Sequence, residues 1–217
     1  MKRLLTSVAL MCSLLLSALP AQASWEAASD VVEKVTNDMV ALLEEGVDIN
    51  DEASLSAAMG RVEKRLDGVI DFNYISQRVM GKFYRRANDA ERAHFAAVFK
   101  HTMVKTYTKA LAGFEINRVE VAAQGPESPE PDKQVVTLDV YSGAGTKYSL
   151  VNYMLERDGT WQLVNVILDG INLRLTFTNQ FADLAERNNG NIQRVIDSWE
   201  GQVDSQAGNQ VTKSEGS

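Results

Sequence analysis

QVVTLDVYSGAGTKYSLVNYMLERDGTWQLVNVILD, residues 134–169, is the stretch that decides the fold. Three runs rich in Val, Leu, Ile and Tyr, at 134–142, 146–157 and 160–169, are separated by turn residues. Gly143-Ala144-Gly145 joins the first two runs, and Asp158-Gly159, a strong hairpin dipeptide, joins the last two. Consecutive hairpins predict an antiparallel meander. A sheet packed on one face alternates apolar and polar residues, and this one does not. The run at 146–157 puts Tyr148, Leu150 and Met154 on one face and Val151, Tyr153 and Leu155 on the other. Strict alternation in the next run puts Trp161, Leu163 and Ile167 on one side and Val164, Val166 and Leu168 opposite. Two apolar faces admit two readings. Either helices cover both sides, or a curved sheet wraps around helices and leaves a cleft for something apolar. Periodicity leaves both open.

Upstream, the pattern changes from two-residue to three- and four-residue steps. Ala28, Val31, Val32, Val35, Met39, Leu42 and Leu43 form a helical stripe that Gly46 ends. Leu55, Met59, Val62, Leu66 and Val69 make a second, and Phe72, Ile75, Val79 and Phe83 a third. Asn88 followed by Glu91 has the form of a capping box, and it opens the strongest helix, with Phe95, Val98, Phe99, Met103, Tyr107 and Leu111. Val119, Val121 and Ala123 alternate with Arg118 and Glu120 as in a half-exposed strand, before a loop rich in proline and acid at 125–132. Downstream, a strand gives way to helix between Ile171 and Asn179. A last helix over about 190–203 turns Ile192, Val195, Ile196 and Trp199 inward. From Asp204 to Ser217 a polar, disordered tail is expected.

The first 23 residues have the three parts of a secretory signal: basic Lys2-Arg3, the apolar stretch Val8 to Leu19, and the A-x-A site Ala21-Gln22-Ala23. The single cysteine, Cys12, lies within it. A mature domain without disulfides is held together by its core alone. The chain carries a net charge of −7, and loss of Lys2 and Arg3 makes it more negative. An acidic surface argues against nucleic acid and against tight adsorption to anionic lipid headgroups, and it suits a protein that stays soluble between membranes and docks briefly.

Catalytic constellations are not assembled in this sequence. His94 and His101 stand seven residues apart beside the Phe95/Phe99 stripe, without a third metal ligand. No nucleophile elbow is present, and Gly143-Ala144-Gly145 lacks the lysine and helix start of a phosphate loop. Asp139 and Asp169 are the one pair that neighbouring strands could bring together as acid and base, although Asp169-Gly170 reads as a turn.

Local sequences then resemble the MlaC (toluene-tolerance) family. Val79-Met80-Gly81-Lys82-Phe83-Tyr84-Arg85-Arg86-Ala87 is similar to the family's V-L-G-x-Y/W segment before its long helix. Asn88 to Phe99, continuing to Tyr107, resembles its T-P-x-x-R-x-x-F-x-x-x-F helix. Gly159-Thr160-Trp161 resembles its G-x-W strand, Asp169-Gly170-Ile171-Asn172-Leu173 its D/E-G-V/I-S-L/M signature, and Gln180-Phe181 the close of that signature. Asn88-Asp89 replaces the usual Thr-Pro helix start, Asn172 a serine and Thr178 an arginine.

The resemblance implies an α+β fold: an NTF2-like curved antiparallel sheet wrapped around helices, with an added helical subdomain and an apolar cleft. It implies a lipid-binding domain over residues 24–203, located in the periplasm, without catalytic activity, cofactor or metal. The implied function is a monomeric carrier that shuttles phospholipid and helps maintain outer-membrane lipid asymmetry. Its implied partners are an outer-membrane lipoprotein–porin complex and the MCE-domain ring of an inner-membrane ABC transporter. The alternatives are an NTF2-like periplasmic enzyme or a carrier of another hydrophobic solute. Val79, Met80, Phe83, Phe99, Met103 and Tyr107 from the helices, with Val151, Tyr153, Val164, Val166 and Ile171 from the sheet, are the expected lining. Tyr84, Arg85 and Arg86 are the expected headgroup contacts.

Overall fold

The computed structural model describes residues 21–214, and side-chain surroundings over 24–203. The export signal therefore lies, apart from its last three residues, outside the described residues. The chain begins with three helices: α1 (Ala21–Glu44), α2 (Glu52–Leu66) and α3 (Phe72–Met80). Their ends follow from short polar residues and glycine. Gly46, at φ +76°, donates its N–H to the Leu43 carbonyl at 3.0 Å and stops α1. Asp51 caps α2 by accepting from the Ser54 N–H, and Asp71 caps α3 by accepting from the Tyr74 N–H, both at 2.8 Å. A 3₁₀ turn over Gly81–Phe83 leads to α4 (Asp89–Leu111). There the capping box forms in both directions. Asn88 Oδ1 accepts from the Glu91 N–H at 2.9 Å, and Glu91 Oε2 accepts from the Asn88 N–H at 2.8 Å.

Five strands follow: β1 (Ile116–Val121), β2 (Lys133–Ser142), β3 (Lys147–Arg157), β4 (Thr160–Leu168) and β5 (Ile171–Asn172). They form one antiparallel sheet in the order β1-β2-β3-β4-β5. Asp169 and Gly170, both at positive φ, make the turn from β4 to β5. Two helices close the described chain, α5 (Leu173–Arg187) and α6 (Ile192–Ser214). The fold is α+β, as the meander and the helical stripes together predict.

One expectation needs correction, and it concerns β4. Tyr153 pairs with Asn165, but Met154 pairs with Leu163, so Val164 is the extra residue of a β-bulge. One inserted residue flips every side chain beyond it to the other face. Val166 and Leu168 thus share a face with Trp161 and Leu163, and Ile167 lies opposite them, paired with Val151. The backbone of α6 runs on past Asp204 to Ser214.

The core falls into distinct clusters. The largest is helical and aromatic: Val79, Met80, Phe83, Phe95, Phe99, Met103, Phe181, Val195, Ile196 and Trp199, from α3 to α6, are all buried. The second joins α1 to one face of the sheet, with Ala28 and Val32 against Val136, Leu138, Val140, Met154 and Trp161. A small third cluster, Leu42, Val62 and Val104, ties α1, α2 and α4 together.

Candidate functional site

The seam between α1 and the sheet is where the interior is incompletely filled. The beginning of α1 is fixed by polar bonds to the start of β2. Trp25 Nε1 donates to the Val135 carbonyl at 3.0 Å, and Gln134 Nε2 to Ser24 Oγ at 2.8 Å. Further along, the stripe Val32, Val35, Thr36, Val40, Leu43 borders two hollows in succession. The eleven helical rises from Val32 to Leu43, at about 1.5 Å each, make this border about 16 Å long.

The first hollow has a volume of about 60 Å³ and is lined by Val32, Val35, Thr36, Leu66, Val69, Ile70, Asn152, Met154 and Leu163. Its one sheet-borne polar group, Asn152, is buried and turns its Nδ2 away into bonds with the Val136 and Leu150 carbonyls, at 3.1 and 3.3 Å. The second, of about 600 Å³, opens to solvent between the end of α1, the α4–β1 connection and the β2–β3 turn. Val40, Leu43, Phe114 and Ile116 supply its apolar wall, and Glu44, Glu115 and Asn117 its polar side. Gly143 belongs to this wall because a Cβ there would lie 2.5 Å from Glu115 Oε2. The smaller hollow has room for about two waters, and the larger matches the volume of ordinary small-molecule sites.

One wall of the smaller hollow is thin. Residues 69–71 pass beside the free edge of β4, where the Leu163 N–H donates to the Val69 carbonyl at 2.7 Å and the Asp71 N–H to the Leu163 carbonyl at 3.1 Å. Asp71 Oδ2 also accepts from Arg157 Nη1 at 2.6 Å, tying the β3–β4 hairpin to the cap of α3. The bulge at Val164 thus lies next to the crossing of this strap.

The residues predicted to line a cavity are distributed differently. Val79, Met80, Phe83, Phe99 and Met103 are packed inside the helical core, and Tyr107 lies half-buried against it, its phenol pKa pushed up to about 12 by burial. Val151 and Tyr153 are on the sheet face opposite the seam, Tyr153 paired with Val135 and both exposed. Val164 is buried in the bulge, and Ile171 is half exposed at the β4–β5 turn. Val166, paired with Asn152, is on the seam face. None of the eleven lines either hollow. Tyr84, Arg85 and Arg86 lie at the α3–α4 corner, also outside both linings.

Sequence reasoning placed Val32, Val35 and Leu43 on a helical stripe without naming them as lining, and it did not name Val40. The usable signal was the stripe's breadth: Val31, Val32, Val35, Met39, Leu42 and Leu43 cover more of a helix than one partner needs.

The polar candidates do not assemble a reaction centre. His94 and His101 are exposed. Asp139 is paired with Lys147 at 2.6 Å, and Asp169 Oδ1 accepts the Ser149 N–H at 2.8 Å, so the two carboxylates are engaged separately. No grouping of three His, Cys, Asp or Glu residues suited to a metal occurs among the described residues.

Comparison with known proteins fits this architecture. The MlaC protein family matches residues 33–201. The toluene tolerance protein Ttg2D of Pseudomonas putida is 29% identical over 176 residues, 80% of either chain. A phospholipid-binding protein from Ralstonia solanacearum, solved in complex with a phospholipid, superposes with a TM-score of 0.70. It is 20% identical, and the match covers 83% of this chain and 98% of the other, so the two share a fold. With most of its length matched by the family, from within α1 to within α6, the chain belongs to the MlaC family.

Proposed function

We propose that this protein is an exported phospholipid carrier that shelters acyl chains in the seam between α1 and the sheet. The carrying observation is the pair of hollows along one stripe of α1, walled by Val32, Val35, Val40, Leu43, Phe114, Ile116, Met154 and Leu163. The phospholipid in the Ralstonia solanacearum relative supports the same cargo. About 30 methylenes at roughly 0.8 kcal/mol each make exposure of a lipid to water cost over 20 kcal/mol. A wall of aliphatic side chains removes that barrier by matching the bilayer interior, and no catalytic group is needed. Two chains require a cavity towards the upper part of the usual range of about 300–1,000 Å³. Loading therefore widens the 60 Å³ hollow by drawing α1 and the 69–71 strap away from the sheet.

The signal read over residues 1–23 supports a periplasmic location for this activity, and no described helix is long and apolar enough to cross a membrane. In this reading the protein collects or delivers lipid at an outer-membrane lipoprotein–porin complex and at the MCE-domain ring of an inner-membrane ABC transporter. The effect is to keep phospholipid out of the outer leaflet. An acid–base enzyme has less support, because no Asp, Glu or His is buried among the described residues.

Native mass spectrometry of protein purified from its own periplasm tests the proposal. Adducts with phospholipid masses, confirmed by lipid extraction, are expected. Repeated recovery of bare protein, or displacement of lipid by an aromatic solvent in competition, would overturn it.

A further inference from the structure

The chain's charge is unevenly distributed. Residues 72–88 contain no acid and four cations, Arg78, Lys82, Arg85 and Arg86, in a protein whose net charge is −7. All four are exposed, and none is in an ion pair among the described residues, whereas Lys100, Lys105, Lys147 and Arg157 each hold a carboxylate. Arg78 stands in the last turn of α3, and Lys82, Arg85 and Arg86 follow in the α3–α4 corner. Lys82 Nζ and the Arg86 guanidinium stand 5.2 and 5.5 Å from the same Phe83 ring, and the Arg78 guanidinium lies 4.8 Å over Tyr74. The α5–α6 turn leaves room for this: a Cβ at Gly190, which has φ +75°, would meet Arg86 Nη2 at 2.7 Å. The acid nearest in sequence, Asp89, is engaged by Arg92 at 3.0 Å. Bringing like charges together without a counter-anion is unfavourable within the chain, so the arrangement points to an anion outside it.

We infer that the α3–α4 corner docks on a membrane surface rich in anionic phospholipid headgroups. Lys82 and Arg86 rest on the Phe83 ring and Arg78 on Tyr74, so the cations form no fixed fork for a carboxylate, whereas a fluid layer of phosphates takes them in any register. Tyr74 and Tyr84 stand among them, a residue type that settles at headgroup level. Each cation near such a surface strengthens binding about fivefold, so four give several-hundred-fold in total. Repulsion of the remaining acidic surface keeps the contact brief and fixes the orientation of the molecule. The inference does not depend on what the seam carries.

Flotation with vesicles of phosphatidylcholine containing about 30% phosphatidylglycerol tests it, against vesicles of phosphatidylcholine alone. Binding only to the anionic vesicles is expected, lost at about 0.5 M salt. Arg78→Gln/Lys82→Gln/Arg85→Gln/Arg86→Gln should lower binding about a hundredfold or more. Arg85→Gln/Arg86→Gln, a milder change that guards against misfolding, should lower it by about twenty-five-fold. Lys34→Gln/Lys64→Gln/Lys109→Gln/Lys133→Gln removes the same charge elsewhere and should leave most of the binding. Equal loss in that control, indifference of the native protein to anionic vesicles, or retention on polyaspartate beads with no vesicle binding would each overturn the assignment. The last would give the corner to an acidic protein.

Discussion

The helical half and the seam bury comparable kinds of residue but fill space differently. Around Trp199 stand the rings of Phe95, Phe99, Phe181 and Phe177, with centroids 5.1, 6.0, 6.1 and 6.3 Å away. Phe95 meets Trp199 edge-on at 86°, the arrangement ring quadrupoles favour. Along α1, by contrast, branched aliphatic side chains face the sheet across a 60 Å³ void and a 600 Å³ opening. Large interlocking rings admit one packing; short aliphatic side chains on a helix and a pleated sheet can slide apart and close again at little cost in contact specificity. One half is an interlocked frame and the other a seam that leaves space unfilled. In the proposed carrier that division would let the frame hold the fold while the seam changes volume.

The comparison breaks most visibly in the frame. Phe95→Ala should cost about 3–5 kcal/mol in urea unfolding, because the surrounding rings cannot collapse into the space. A cost below about 1 kcal/mol would mean that the helical core is as yielding as the seam.

The next largest effect separates the two sheet faces. Val166→Glu places a charge on the seam face beside Asn152 and should abolish retention of co-purified lipid. Val151→Glu, on the opposite face, should keep it. Mass spectrometry of both folded variants decides the matter, and the reverse outcome would put the cargo on the other side of the sheet.

Asn88→Ala removes one arm of the capping box at the start of α4 and should destabilise the frame by about 1 kcal/mol, with lipid content unchanged. The smallest effect is acid-dependent. Glu200 is hydrogen-bonded by Lys105 across α4 and α6, which holds its carboxyl below the usual range. A carboxyl lowered by folding stabilises the protein above its unfolded pKa, and the stabilisation is lost as pH falls through the folded value. Glu200→Gln should therefore lower stability at neutral pH by a few tenths of a kcal/mol, the pair being partly exposed. The difference from the native protein should vanish in acid, as thermal melts across pH 2–7 would show.

Much of the frame was legible in the sequence. The stripes of α1 to α4, the Asn88–Glu91 box, the Asp158-Gly159 hairpin and the inward set Ile192, Val195, Ile196 and Trp199 are local patterns, and local hydrogen bonding or periodicity is enough to fix them. The change from strand to helix after Ile171 occurs at Leu173, inside the window its alternation allowed. The site was less legible, because a wall residue and a core residue are chosen by the same hydrophobicity. Phe99 and Val32 look alike in composition; only their neighbours show that one is enclosed by rings and the other borders a void.

By itself, then, the sequence determined the class of fold, the order of elements and the family motifs. Tertiary structure decided which apolar surfaces meet and which stand apart. It placed one extra residue at Val164, reversing the faces of Val166 and Ile167, and it left α1 bordering two hollows. Faces and voids depend on pairings between residues far apart in the chain, whereas periodicity reports only what lies within a few turns.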